Sequence, residues 1–460
     1  MEKEVCDLGE IMKIEGKSVV ILGGGISGLC VAHRLKQLGV PFVLLESRGR
    51  VGGKIQTAKV GASQVEQGPN SLMLRDGAVK ELIEDLGLSQ RVTYPEEKRP
   101  ARYICDGEKI HHISPFSIVP YIGIGSFLKI LTGGYSRPAA PMESVHDFFV
   151  RKLGKPVAEK LVAPFVSGIY AGDAHKLIAS QAFPKIWEMD QKYNSFWGGL
   201  AGRKKGAKKS ELRSGITTFP EGLEELTQAL YEELKESIQL DVEVLNLKYT
   251  EHGWSIRTQN SEQMYSQVIS TLPSHNLANL LTQREFESLV KHLRDIRYPW
   301  VRVMHVAYPQ QDVRDIARGY GFLNIPDKSL PFLGCLFSSQ LFSHRSSRAL
   351  PYFTFFIGGE TQGHLRVTDA KDSLPQIHES LQKVLKFRSD SPRLLSFKDW
   401  PDAIPQYDIH QYRLSQYLQG AQLPKMGLHL GSNFVGGISI PECVESSFEL
   451  AKIVADHHRK

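Results

Sequence analysis

The stretch that most constrains this chain begins at Val19 and reads VVILGGGISGLCVAHRLKQLGVPFVLLES. Its pattern is strand, glycine turn, helix, strand and acid, a βαβ unit over residues 18–46. Gly23, Gly25 and Gly28 supply G-x-G-x-x-G: the first permits a tight turn, the second lets a pyrophosphate approach the backbone, and the third lets helix and strand pack closely with the phosphate over the helix N-terminus. Alone the pattern is weak. Here it follows the strand SVVIL, opens a helix ending near Gly39, and leads to Glu46, 23 residues past Gly23, where a ribose hydroxyl is expected. A dinucleotide site follows, with Gly23, Gly24, Gly25, Ile26, Ser27, Gly28, Glu46 and Ser47 as its binding residues.

NAD and FAD both fit that far, and the next residues decide between them. ESRGRVGGKIQT carries the acid on into Arg50, Gly52, Gly53 and Lys54. This resembles the extension by which flavin amine-oxidase-type proteins run a second glycine pair along the FAD pyrophosphate. No second G-x-G-x-x-G follows for a nicotinamide cofactor, so the expected ligand is non-covalent FAD, with no site for NADPH.

At 460 residues the chain is too long for one simple core, and two or three domains are expected. The net charge of +6 is too small and too dispersed for nucleic acid, though it suits an acidic substrate or an anionic lipid surface. Cys6, Cys30, Cys105, Cys335 and Cys443 show no CxxC spacing, so neither a zinc site nor a disulfide framework is expected, and no metal. A reducing, cytoplasmic setting fits. The opening MEKEVCDLGEIMKIEGK lacks an apolar signal core, and no apolar run approaches the ~20 residues that span a bilayer.

Further along, VKELIEDLGL predicts a helix with Gly87 at its end. Residues 113–142 are apolar and broken by Pro and Gly, which fits either buried helix and loop or a patch dipping into one membrane leaflet. The basic run 203–213 reads as a solvated loop. EGLEELTQALYEELKE predicts an amphipathic helix, and the strand-like segments after it, through MYSQVISTLPSH, predict a small appended sheet. Residues 300–360 look strand-rich and aromatic. The end, 428–455, reads strand, glycine turn, helix.

VEQGPNSLM at 65–73, PFVSGIYAGDAHKL at 164–177, GYGFLNIP at 319–326, LGCLFSSQLF at 333–342 and NFVGGISIPECVESS at 433–447 resemble, in family order, the oxygen-dependent protoporphyrinogen oxidases. Ser447 stands where a Gly commonly occurs. The resemblance implies an α/β fold: a Rossmann-like FAD-binding domain of the GR2 flavoprotein type from 15–75, 210–290 and 400–460, a helical membrane-associating domain at 76–209, and an α+β substrate domain at 291–399. It places Gln67, Gly68, Pro69 and Asn70 beside the isoalloxazine ring and the backbone of Val244 at the adenine. It assigns Gly431, Ser432, Asn433, Gly437, Ile438, Ser439 and Ile440 to a second glycine turn whose helix points at the flavin pyrimidine. A helix N-terminus there would stabilise the negative charge of reduced flavin. Ser439 fits a helix cap as well as a flavin contact.

The implied chemistry is removal of six electrons from a porphyrinogen, two at a time, with molecular oxygen as acceptor. The protein must mainly hold a bridge carbon near flavin N5 and exclude water. The sequence offers no obvious acid–base dyad, and His111, His112, His275 and His305 read as structural or exposed rather than catalytic. By resemblance Asn70 faces the reacting pyrrole, Leu323, Leu336 and Phe356 sandwich the rings, and Arg102 pairs with a propionate. Unaided, the three apolar residues read as core, Arg102 as a surface arginine and Asn70 as a turn residue. The implied partners are a porphyrinogen, oxygen, a peripheral contact with the cytoplasmic membrane face, a second copy in a homodimer, and a ferrochelatase receiving the product. Protoporphyrinogen IX leads. The alternatives are coproporphyrinogen III, an amine oxidase or carotenoid desaturase of the same fold, and a non-catalytic flavin-binding scaffold.

Overall fold

The structure, a computed structural model, describes residues 19–114, 117–134, 140–195, 212–326 and 330–459. The basic run 203–213 lies almost entirely outside these residues, as does Cys6. The chain divides into two compact units, the first being Met1–Gly53, Thr227–Arg294 and Gln416–Lys460, the second Lys54–Leu226 and Asp295–Ser415. Residues 54–75, 210–226 and 400–415 therefore fall in the second unit rather than with the other expected FAD segments. For 57–66 the cause is packing: Ala58, Val60 and Val65 cluster with Ala307 and Tyr352.

The first unit holds a parallel five-stranded sheet in the order Leu428–Leu430, Gln267–Ser270, Val19–Leu22, Phe42–Leu45, Ile238–Gln239. Val19–Leu22, Phe42–Leu45 and Gln267–Ser270 are buried at every residue. Such unbroken runs are what a parallel sheet covered on both faces requires. Helix Ile26–Gln37 packs against helix Ile440–His458, where Arg34 and His33 meet the ring of Phe448. The small sheet expected after residue 237 is three-stranded, Val244–Thr250, Gly253–Thr258 and Glu262–Tyr265. Ile238–Gln239 and Gln267–Ser270 belong instead to the parallel sheet, their short apolar runs having no alternation to tell the two apart.

The second unit holds a seven-stranded sheet in the order Arg393–Trp400, Val301–Ala307, Tyr352–Gly358, Gly334–Leu336, Gly321–Asn324, Arg102–Cys105, Ile110–His112. All neighbours are antiparallel except Gly321–Asn324 beside Arg102–Cys105. One face carries Cys105, Met304, Val306, Phe322, Cys335, Phe353 and Phe355, which form a core with Ile377, Leu381 and Val384 of helix Ala370–Leu385. Helix Ala78–Asp85 matches the periodicity of VKELIEDLGL, and Gly87 follows it at φ +67°. Helix Ile124–Leu131 exposes Ile124 by 70%, Leu128 by 55% and Leu131 by 57%, so this part of 113–142 is not buried helix. Among the described residues no helix is long and apolar enough to cross a membrane.

Candidate functional site

In the first unit, the turn after Val19–Leu22 starts at Gly23 with φ +101°, a region L side chains avoid. The backbone of Gly25 is ordinary, φ −72° and ψ 176°, and a Cβ there would meet nothing within 4 Å. The backbone does not demand glycine at 25; what glycine keeps there is open space. Gly28 is the opposite case, since a Cβ would stand 2.0 Å from the Gly23 carbonyl oxygen. Ile26 and Ser27 begin a helix with no side-chain cap and no acid in its first turn, which leaves its amide dipoles for an anion.

A second turn lies against the first. The Gly52 amide donates to the Gly24 carbonyl at 2.8 Å, and a Cβ on Gly53 would come 3.2 Å from the Gly25 Cα. Arg50 braces this turn by donating to the carbonyls of Val51 and Gly53, both at 2.8 Å. Glu46 is buried at the end of its strand; it accepts from the Gly24 amide at 2.6 Å and the Arg48 amide at 3.0 Å, with the Ser47 hydroxyl at 3.4 Å. Val244 opens the strand that follows Val242, whose amide donates to the Glu46 carbonyl at 2.9 Å. Gly431 donates to the Ser270 carbonyl at 2.9 Å. Ser432 precedes the short helix Asn433–Gly436, after which Gly437, at φ +99°, turns the chain through Ile438 into helix Ile440–His458. Ser439 caps that helix in a reciprocal box with Glu442. Two adjacent glycine turns, an uncapped helix start and open space above Gly25 fit the pyrophosphate of a dinucleotide.

In the second unit, Lys54 donates to the Ala403 carbonyl at 2.6 Å and lies over the Tyr298 ring. Its own carbonyl stands 2.0 Å from where a Gly68 Cβ would be, so the loop Gln67, Gly68, Pro69, Asn70 passes backbone to backbone there. Trp400 Nε1 fixes the loop by donating to the Gln67 carbonyl at 2.6 Å. Asn70 is buried, and Arg345, also buried, holds both its oxygens: Nη1 donates to Oδ1 at 2.9 Å and Nη2 to the backbone carbonyl at 2.7 Å. Arg345 further donates to Thr218 Oγ1 at 3.0 Å and pairs with Glu66 at 3.4 Å. Burial pushes the Glu66 carboxyl up from the usual carboxylate range, while Arg345, the Leu223 amide and the Thr57 hydroxyl pull it down. Asn70 Nδ2 donates to Ser338 Oγ at 3.4 Å, and Ser338 joins Thr354 at 2.7 Å, which joins His305 Nδ1 at 3.0 Å. Burial, then the nearby Arg345 charge, pushes His305 down to about 3, so the imidazole is neutral.

Strand register places the other expected residues. Leu323, Gly334 and Phe356 lie opposite one another on three adjacent strands, as do Arg102, Gly321, Leu336 and Thr354 two residues along. Two residues along a strand return to the same face. Arg102, Leu323, Leu336 and Phe356 thus share the sheet face opposite the main core, with Arg102 exposed. Leu323 is wedged by glycines: a Cβ on Gly168 would stand 2.3 Å from its Cδ2 and one on Gly334 3.2 Å. Among the described residues no group of three or more His, Cys, Asp or Glu could hold a metal ion.

The sequence profile of the flavin containing amine oxidoreductases matches residues 26–455. The chain belongs to that family. Its cradle is built for a dinucleotide, and the flavin is FAD. The flavoprotein is 29% identical to protoporphyrinogen oxidase 1, chloroplastic, of Spinacia oleracea, over 95% of this chain and 84% of that protein. It is 25% identical to coproporphyrinogen III oxidase of Bacillus subtilis, over 93% and 96%. In fold it is similar to the crystal structure of a candidate protoporphyrinogen oxidase from Exiguobacterium sp., at TM-score 0.78 and 21% identity, covering 96% of this chain and 99% of that one.

Sequence reading passed over Glu66, Arg345, Ser338 and Thr354, although VEQGPN and SSQLF contain two of them. No local signal marked the pair, since Glu66 closes the polar strand SQVE and Arg345 follows Ser343 and His344; only burial of both shows that they must meet.

Proposed function

We propose that this flavoprotein oxidises a porphyrinogen to the corresponding porphyrin, with molecular oxygen as the final acceptor. The observation that carries the reading is the sheet face on which Leu323, Leu336 and Phe356 stand with Arg102 exposed beside them. An apolar floor with an exposed arginine beside it suits a large carbon-rich macrocycle bearing a carboxylate, and suits a small charged amine poorly. The names of the plastid and bacterial relatives supply the substrate class.

When bound, FAD would supply two-electron acceptance next to a bridging carbon, and complete oxidation of a porphyrinogen would draw on it three times with oxygen as the final acceptor. The chain's own part is placement. The apolar face excludes water and fixes the macrocycle, Arg102 pairs with a propionate, and Asn70 lies in the loop beside the flavin ring. Gly23 to Gly28, Glu46, Ser47, Arg50, Gly53, Val244 and the turn from Gly431 to Ile440 hold the dinucleotide. Ser439 contributes as the cap of its helix, whose N-terminus favours charge on the flavin.

A second reading, coproporphyrinogen III, is favoured by the Bacillus subtilis relative. That substrate carries four carboxylates, and the apolar floor of Leu323, Leu336 and Phe356 favours the two of protoporphyrinogen IX. Oxygen uptake with each porphyrinogen tests the choice: kcat/KM at least tenfold higher on protoporphyrinogen is expected, the reverse ranking selects the second reading, and turnover of neither sinks both. Membrane contact belongs to the same proposal, supported by Ile124, Leu128 and Leu131 projecting from one helix. Such a row at spacings of four and three residues suits a peripheral site on the cytoplasmic face. Resemblance alone supports a homodimer and hand-over of product to a ferrochelatase.

A further inference from the structure

Arg345 is fully buried and can only donate hydrogen bonds. Every group it hydrogen-bonds is therefore an acceptor, and two of these are the side-chain and backbone oxygens of Asn70, at 2.9 and 2.7 Å. An asparagine amide is free in principle to turn either end toward a ligand. Here the turn is settled, because exchanging Oδ1 and Nδ2 would set an amide N–H against a guanidinium. The amide nitrogen is left pointing along the Ser338, Thr354 and His305 chain, and one of its two hydrogens goes to Ser338. The second hydrogen is the polar feature Asn70 has left to offer.

From this juxtaposition we infer that Arg345 is a positioning residue: it locks Asn70 so that its amide presents an N–H donor, and that donor serves an acceptor of the flavin rather than a pyrrole. The second half follows from complementarity. The ring nitrogens of a porphyrinogen are themselves N–H donors, so a donor amide cannot pair with them, whereas the flavin ring carries carbonyl oxygens and unprotonated nitrogens. The inference rests on the reading that the 67–70 loop lies beside the flavin. Reduction makes those flavin acceptors more electron-rich, so a fixed N–H stabilises the reduced form more than the oxidised one. Arg345 then acts on the flavin's affinity for electrons through Asn70, without touching flavin or substrate.

Glu66 explains why a full positive charge is tolerated in this place. Its carboxylate lies within 3.4 Å and is itself held by the Leu223 amide at 2.9 Å and the Thr57 hydroxyl at 2.8 Å. A neutral donor at 345 would not need this support, but it would not fix the amide as firmly, since hydrogen bonds from charged donors are about twice as strong as neutral ones.

The test is the midpoint potential of the bound flavin in the full-length flavinated protein, measured by equilibration with reference dyes, alongside anaerobic reduction by porphyrinogen. Asn70→Ala sets the reference and is expected to disfavour reduction at least tenfold in equilibrium constant, about 30 mV for a two-electron couple. Arg345→Lys keeps the charge facing Glu66 but cannot hold both oxygens. The double variant Arg345→Gln with Glu66→Gln removes the pair without stranding a buried carboxylate. Both are expected to shift the potential in the same direction as Asn70→Ala with flavin content retained, and combining Asn70→Ala with Arg345→Lys should add nothing further. An unchanged potential in the Arg345 variants, where Asn70→Ala does shift it, overturns the positioning role and leaves the placement of the loop standing. Loss of flavin or of fold in both Arg345 variants also overturns it, since the residue would then be structural. Should Asn70→Ala itself change neither potential nor rate, the placement of the loop beside the flavin is what fails.

Discussion

Alanine at Gly28 and alanine at Gly25 should both lose FAD, and only the first should also lose folding stability. At Gly28 the added methyl would stand 2.0 Å from the Gly23 carbonyl oxygen and 2.9 Å from Thr271 Oγ1. Reaching the 3.4 Å of ordinary contact means opening the turn from the helix by more than an ångström, an overpacking that costs about 1–3 kcal/mol. The Thr271 hydroxyl, which donates to the carbonyls of Leu22 at 2.8 Å and Gly23 at 3.0 Å, is disturbed in the same movement, for about 1 kcal/mol more. Helix propensity returns up to ~1 kcal/mol, since alanine is the better helix former. The net is a loss of roughly 1–3 kcal/mol in folding stability, together with FAD. At Gly25 the methyl meets nothing and the backbone is already in a region alanine adopts, so the apoprotein should unfold at the wild-type temperature while FAD, whose pyrophosphate needs that space, is lost. Thermal unfolding of apoprotein and the ratio of flavin to protein absorbance read both effects. Gly28→Ala with unchanged Tm and full FAD, or Gly25→Ala that lowers the apoprotein Tm, would refute the reasoning.

Arg102→Leu should raise KM for protoporphyrinogen about tenfold, the ~1.4 kcal/mol expected from losing a charge-assisted pair at an exposed position, with FAD content and saturated turnover little changed; unaltered kinetics would put the carboxylate anchor elsewhere. Replacing Ile124, Leu128 and Leu131 together by serine should abolish sedimentation with anionic liposomes and leave Tm intact, because these side chains are already exposed; undiminished sedimentation removes the membrane proposal. Burial pushes His305 down to about 3 and His429 to about 4, so both stay neutral in the fold at pH values where an unfolded histidine takes a proton. Unfolding therefore takes up protons below pH ~6.5, and stability should fall as pH drops from there toward 5, by up to about 1.4 kcal/mol per pH unit for each histidine. Urea unfolding at pH 7 and 5 measures the fall, His429→Gln should reduce it, and a flat profile would contradict both burials.

The parallel sheet's first strands and the glycine cradle were legible because their physics is local. A buried strand, a turn that needs particular glycines and a helix start follow one another within thirty residues of the sequence, and each constrains the next. The strand Gln267–Ser270 was visible as a strand but not as a neighbour of Val19–Leu22, because pairing across two hundred residues leaves no periodic trace. Arg102, Leu323, Leu336 and Phe356 came from resemblance; only strand register puts them on one face. The exposure of Ile124, Leu128 and Leu131 could not be read from an apolar run, since the same residues suit a core or an outer surface equally well. The Arg345 and Glu66 pair was hidden for a related reason: 279 positions separate them, and a lone charge in a sequence does not say which lone charge will meet it.

The order of strands in the first unit has a consequence for how the living chain acquires its cofactor. The sheet places Val19–Leu22 between Phe42–Leu45 and Gln267–Ser270, with Leu428–Leu430 beyond, and helix Ile26–Gln37 rests on helix Ile440–His458. During synthesis helix Ile26–Gln37 is made long before helix Ile440–His458. Throughout synthesis the glycine turn is present but half-walled, with the partner of its helix still unmade, and contacts so remote in sequence form slowly. FAD therefore meets a complete cradle only once Leu428–Leu430 and helix Ile440–His458 have joined it, and its binding would hold together segments remote in sequence.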